Sequence, residues 1–133
     1  MTSGYSGTSQ ARKLGVRDGC RLVLDAAPQG WALTDPPPVV TVPPGESADV
    51  IVTFVRTVAD LPGRVDALSE RIRPNGALWI AWPRRAAGHV SDMTENAIRE
   101  CVLPLGLVDV KVAAIDKDWS GLKIVWRKER RRS

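Results

Sequence analysis

A handful of residues in this 133-residue chain have the type and placing to do chemistry. Asp25 closes a short apolar run, Arg21-Leu-Val-Leu-Asp25, and its carboxylate could accept from a ligand hydroxyl or amine. Arg56-Thr57 and Arg84-Arg85 follow two further apolar runs, and a guanidinium there could grip a phosphate or carboxylate through paired N–H donors. Trp31, preceded by Gly30, and Trp82, just before Arg84, offer flat faces on which a base or ring could stack. This is binding chemistry. No nucleophile stands beside a base in sequence, so no catalytic residue is assigned. The single histidine, His89, has no neighbouring cysteines with which to build a metal site, because Cys20 and Cys101 are scattered.

Each residue also has a structural reading. Asp25 could cap the following turn through its own backbone, Asp116 and Asp118 flank a turn, and Asp92 with Glu95 suits a helix cap before it suits a carboxylate pair. Trp31 could fill a vacated space, Arg84 and Arg85 could be a solvated loop pair, and His89 could sit on the surface.

The elements that must hold these residues follow from pattern. Ser9–Leu14 reads as a short helix stopped by Gly15, and Arg21–Asp25 as a first strand. A proline-rich loop over 30–46 allows at most an edge strand at Val39–Val42. Asp49–Val55 is a nearly continuous apolar run, as in a strand covered on both faces. Leu61, Val65, Leu68 and Ile72 form one helical stripe after an Asp60 cap, with Pro62 in the first turn and Arg64, Asp66, Glu70 and Arg71 facing water. Ala77–Trp82 is another buried strand. A helix capped by Ser91 or Asp92 follows, with an inner face of Ala97, Ile98, Cys101 and Val102 and a stop at Pro104. Leu107–Ile115 alternates, with Val108, Val110 and Val112 on one side and Asp109 and Lys111 on the other. Trp119–Arg127 returns beside it as a hairpin. Strands alternating with helices predict an α/β three-layer Rossmann-like sandwich, with a mostly parallel sheet and an antiparallel C-terminal hairpin. In such sheets ligands lie beyond the carboxyl ends of the strands, which selects Asp25, Gly30, Trp31, Arg56, Trp82, Arg84 and Arg85 as ligand-binding candidates.

The net charge of +4 is unevenly spread. Residues 127–132 hold five basic residues and one acid, leaving 14 of each sign in the rest of the chain. The basic character therefore belongs to a tail, expected to be disordered over 127–133, and the body at 1–126 is a single neutral domain. That leaves nucleic acid as a partner only through the tail. The N-terminus lacks a charged-then-apolar signal, and no apolar run spans a bilayer, so a cytoplasmic protein with reduced thiols and no membrane contact is expected.

From Asp49 onward the pattern resembles the second half of a class I S-adenosylmethionine-dependent methyltransferase. Asp49-Val-Ile-Val looks like that fold's fourth strand, and Ile72-Arg-Pro-Asn-Gly-Ala-Leu-Trp like its turn into the fifth. The final hairpin looks like its strands six and seven. Arg21-Leu-Val-Leu-Asp25 looks like the start of its first motif, but Ala26-Ala-Pro-Gln29 stands where glycines should follow. Asp25 and Asp49 are only 24 positions apart, too few for the segment that normally carries the ribose-binding acid, for which Glu46 is the nearest substitute. The whole chain also resembles a bacterial family, domain of unknown function 3052. That likeness rests on Tyr5-Ser-Gly-Thr8, Lys13-Leu-Gly15, Leu78-Trp-Ile-Ala-Trp-Pro83, Asp92-Met-Thr-Glu95, Gly106-Leu-Val-Asp-Val-Lys-Val112 and Trp119-Ser-Gly-Leu-Lys123.

The expectation is a non-catalytic binding or regulatory module on a degenerate methyltransferase-like fold, with an unidentified small ligand or protein partner. The alternatives are a small-molecule enzyme using the same crevice, such as a reduced methyltransferase, and a nucleic-acid-associated protein acting through its tail. No cofactor is expected, S-adenosylmethionine being the alternative kept open.

Overall fold

The computed structural model of the chain describes residues 9–85 and 88–131. The extended run expected at 1–8 and the last two residues of the tail lie outside them. Six strands form one sheet: β1 (Cys20–Asp25), β2 (Val39–Thr41), β3 (Val50–Phe54), β4 (Ala77–Pro83), β5 (Leu107–Ala114) and β6 (Trp119–Trp126). Their spatial order is β2-β1-β3-β4-β6-β5. The first four are parallel, while β6 is antiparallel to both β4 and β5. This is the expected Rossmann-like sheet ending in an antiparallel hairpin. Every residue of β3 and β4 is buried, because helices cover both faces of these central strands.

Helix α1 (Gln10–Leu14) starts at Ser9, whose hydroxyl accepts from the Arg12 amide, and stops at Gly15 with φ of 79°. Its Ala11 and Leu14 pack on one face of the sheet with Val52, Phe54, Trp79 and Trp119. The Trp79 indole donates to the Leu14 carbonyl at 3.0 Å, which satisfies its buried N–H. Helices α2 (Leu61–Leu68) and α3 (Glu95–Val102) cover the other face, and their stripes meet Ile51, Ile80, Trp82, Leu122 and Ile124. The apolar stripe continues from α2 through a 3-10 turn to Ile72.

Several local expectations change. The Asp60 side chain does not cap α2 but accepts from the Thr57 hydroxyl at 3.0 Å. The cap of α3 is Thr94, whose hydroxyl accepts from the Ala97 amide at 3.0 Å. Asp92 instead accepts from the Val58 amide at 2.9 Å, tying together the loops that precede the two helices. Glu95 pairs with Arg99, which also holds Asp109 at 2.9 Å.

In β5 the register shifts between Asp109 and Lys111, a bulge that inserts Val110. The extra residue flips the parity of the strand. Lys111 therefore shares the α1 face with Val108, while Val110 and Val112 are left exposed. At the opposite edge, β2 is only three residues long, between Pro36-Pro37-Pro38 and Pro43-Pro44.

The basic segment also differs from expectation as far as Arg131. Lys128–Arg130 is a 3-10 turn, and the Arg127 amide donates to the Gly106 carbonyl at 3.1 Å. Arg131 donates to the Trp126 carbonyl, and Arg73 stacks over the Trp126 ring at 3.8 Å while donating to the Arg130 carbonyl. Gly106 leaves the hollow that the Arg130 side chain fills, since a Cβ there would stand 2.9 Å from Arg130 Cγ.

Candidate functional site

Because β1, β3 and β4 are parallel, their carboxyl ends open on one edge of the sheet. Asp25 and Thr53 are register partners there, so their side chains stand side by side on one face. The Thr53 hydroxyl donates to Asp25 Oδ2 at 2.8 Å. From α2, Arg64 Nη1 donates to Thr53 Oγ1 at 2.8 Å, to the Phe54 carbonyl at 2.9 Å and to Asp25 Oδ2 at 3.3 Å. Arg64 was expected to face water. Its Cβ does sit on the flank of the helix, but its long stem carries the guanidinium back onto the strand ends. Asp25 is thus engaged by β3 and α2 rather than capping its own turn. Its Oδ1 accepts no hydrogen bond among the described residues, and its side chain is 34% exposed.

The next residue, Ala26, has φ of +58°. This is the left-handed region that glycine enters freely and alanine enters at a cost of about 1 kcal/mol. The turn after β1 therefore keeps a left-handed residue without a glycine at that position.

Trp31 packs on the other face of the sheet, the α1 side. Its ring meets Phe54 edge-on at 4.8 Å, and Phe54 in turn meets Trp119 at 5.0 Å. The Trp31 indole donates to Asp116 Oδ2 at 2.9 Å, while Asp116 Oδ1 accepts from the amides of Asp118 and Trp119. Trp31 is half-buried, as a residue filling this corner should be. Arg56 lies over the Trp119 ring at 5.0 Å, and its carbonyl accepts from Ser91 Oγ. Thr53 and Phe54 are consecutive in β3, so their side chains point to opposite faces: the polar cluster lies on the α2 side and the aromatic group on the α1 side.

The remaining candidates are placed differently. Arg84 donates to the carbonyls of Asp116 and Lys117, which ties it to the hairpin turn, and Arg85 is exposed, so the two do not form a clamp. His89 stands 3.1 Å from Asp118 Oδ1 and is exposed. Gly30 is exposed with φ of 78°. Trp82 is 9% exposed, within the core beneath α2 and α3, and presents no open face to a ligand. Glu46 is at the far end of the sheet, paired with Arg21 at 3.3 Å, so it does not stand in for a ribose-binding acid. Burial pushes both thiols, Cys20 and Cys101, above their ordinary range, which makes them poor nucleophiles. Among the described residues no group of three or more His, Cys, Asp or Glu could hold a metal, and no helix is long and apolar enough to cross a membrane.

Sequence reasoning missed Thr53, Phe54, Arg64 and Asp116 as members of this edge. Thr53 carried a signal, being the one polar residue inside the apolar run of 50–55.

The fold is that of several solved structures. A protein of the NADB-Rossmann superfamily from Streptococcus agalactiae superposes with a TM-score of 0.54 at 11% identity, over 91% of this chain and 69% of that one. LepI in complex with SAH and a substrate analogue gives 0.51 at 10% identity, over 88% of this chain and 39% of LepI. A mutant of MtNAS gives 0.50 at 13% identity, over 88% of this chain and 57% of that one. No family model matches the sequence, and no curated protein matches it. The chain is a methyltransferase-like Rossmann fold that spans about four tenths of LepI.

The expectation of no cofactor is overturned here, because a structure of this fold holds SAH. The residues at the strand ends fit the amino-acid head of such a group. A left-handed turn follows β1, Asp25 has a free carboxylate oxygen, and Arg64 has Nε and Nη2 unbonded among the described residues. The acid that would meet a ribose at the end of β2 is not among them.

Proposed function

We propose that the strand-end crevice takes a ligand of the S-adenosylmethionine class and that the chain works as a reduced methyltransferase-type enzyme in the cytoplasm. The observation that carries this reading is the Asp25–Arg64 pair beside the left-handed Ala26. Asp25 Oδ1 accepts from the ligand's ammonium, and the open side of the Arg64 guanidinium takes its carboxylate. Thr53 holds the two side chains in place. Trp31, Phe54 and Trp119 pack on the opposite face of the sheet and brace the same strand ends from behind. When bound, S-adenosylmethionine supplies an electrophilic methyl group. His89, oriented by Asp118, is the residue at this edge able to accept a proton from an acceptor substrate.

Calorimetry with S-adenosylmethionine and S-adenosylhomocysteine tests the reading. The expected result is saturable binding with Kd at or below about 100 μM, that is at least about 5.5 kcal/mol. The absence of binding at about 1 mM refutes it. Transfer of a labelled methyl group to a panel of small alcohols, amines and thiols then separates an enzyme from a silent module.

A second reading rests on the basic segment. Arg127, Lys128, Arg130 and Arg131 make no ion pair among the described residues, and the segment 127–132 to which they belong carries a charge equal to the chain's net +4. Contact with a nucleic-acid backbone through this turn predicts affinity that falls linearly with log salt and is lost on truncation after Trp126.

A further inference from the structure

A second concavity lies at the opposite end of the sheet, where β1, β3 and β4 begin. Helix α1 has five residues and stops at Gly15, at the margin of this cavity. The cavity there has a volume of about 450 Å³, within the range of small-molecule sites. Val50 and Val125 contribute to its apolar lining, and Arg17, Asp18, Asn75 and Lys123 bring polar side chains to its wall.

Lys123 is the telling residue. It sits in the middle of β6, partly buried, opposite Trp79 on one side and Lys111 on the other. Two lysines directly opposite on neighbouring strands repel each other. The Lys111 ammonium is tied to the Lys13 carbonyl at 3.4 Å. Neither the Lys123 ammonium nor the Arg17 guanidinium has a hydrogen bond or ion pair among the described residues. The Asn75 side-chain amide has no partner among the described residues either. Of the two carboxylates in the wall, Asp49 is already committed to the Arg21 amide at 3.0 Å, and Asp18 is free. A strand-centre ammonium beside a second lysine, over apolar side chains and in no direct ion pair among the described residues, leaves a donor that a compact anion could engage.

We propose that this amino-end cavity binds a small molecule bearing a compact oxyanion, a carboxylate or a phosphate. Lys123 and Arg17 take the oxyanion, Asn75 donates beside them, and Asp18 accepts from a donor elsewhere on the same ligand. This site is independent of the strand-end crevice, because the two lie at opposite ends of the sheet.

The test is calorimetry in low-chloride buffer with inorganic phosphate and, separately, with citrate. The proteins are the wild type, Lys123→Met, Arg17→Gln and, as a control at the other edge, Lys117→Gln. Met keeps the apolar stem and relieves the repulsion with Lys111, so that variant is expected to fold, and Arg17 lies in a loop outside the strands. At least one probe is expected to bind the wild type with Kd below about 1 mM, with each site variant weakened about tenfold and the control unchanged. The probe that binds tells phosphate from carboxylate. The proposal is overturned if neither probe binds at about 10 mM, or if both site variants bind as the wild type does.

Discussion

Replacing Trp31 tests whether this residue fills the corner beyond β3 or waits there with an open face. Two interactions are lost in Trp31→Ala: the edge-on contact with Phe54 at 4.8 Å and the indole hydrogen bond to Asp116 at 2.9 Å. A fully buried Trp truncated to Ala costs about 3–5 kcal/mol. Trp31 is half-buried, so its transfer and cavity share is about half of that. The bond to a carboxylate is worth up to about 1.5–3 kcal/mol when buried. It counts for about 1 kcal/mol here, since water replaces it in part. The sum is about 2.5–3.5 kcal/mol for Trp31→Ala and about 1 kcal/mol for Trp31→Phe, which keeps most of the ring. Urea denaturation followed by far-UV circular dichroism avoids confounding by the lost fluorophore. With an m-value of about 2 kcal/mol per M, the midpoint of Trp31→Ala should fall by more than about 1 M. A cycle with Asp116→Asn isolates the bond, and its coupling energy should be about 1 kcal/mol. If Trp31→Ala costs under about 1 kcal/mol, the filling role is wrong and Trp31 becomes the first candidate for stacking against a ligand.

Gly76→Ala should cost more than about 3 kcal/mol or abolish folding, because a Cβ there would lie 2.7 Å from the Ala48 carbonyl oxygen and 2.9 Å from that of Ile72. Thermal melts check it, and a stable variant would mean the turn into β4 has room to move. The hydrogen bond from Arg99 holds the Asp109 carboxyl below its ordinary range. A carboxyl with a depressed native pKa stabilises the fold above its unfolded value and loses that contribution as pH falls through the native one. Asp109→Asn should therefore lower Tm at neutral pH by an amount that shrinks as pH falls below the unfolded carboxylate range, and an effect that does not shrink with pH would remove the ion pair as the cause. Truncation after Trp126 should lower Tm by several degrees, since the turn at 128–130 packs on Gly106 and Trp126. A change under about 2 °C would instead mean that the segment is a solvated appendage.

The elements that show strong periodicity in the sequence are those whose burial is decided by backbone position. β3 and β4 read as apolar runs, and Leu61, Val65, Leu68 and Ile72 as a stripe, because each Cβ direction follows from the period alone. Arg64 stands on the shoulder of the stripe, three residues after Leu61 and four before Leu68, and its guanidinium ends several bonds away on the strand ends, where the period does not reach. Ser91, Asp92 and Thr94 are all capping types within four positions, and only the chain's path selects Thr94. The Val110 bulge is one residue in a run that alternates well, and parity cannot reveal an insertion. Glu46 and Thr53 needed the register: which residues of a parallel sheet stand together depends on the whole crossover, not on neighbours in sequence.

The two open edges of the sheet end in different ways, and both limit growth. At β2 prolines on either side leave three residues to pair, so an incoming strand from another molecule finds too short a ladder to hold. At β5 the edge is eight residues long, but its hydrogen-bonding rhythm breaks at Val110 partway along. A straight strand that starts in phase at Leu107 is out of phase by Val112, so the apolar side chains exposed beyond the bulge cannot be zipped into a continuous second sheet. Both edges of the sheet thus resist pairing with an edge of another molecule.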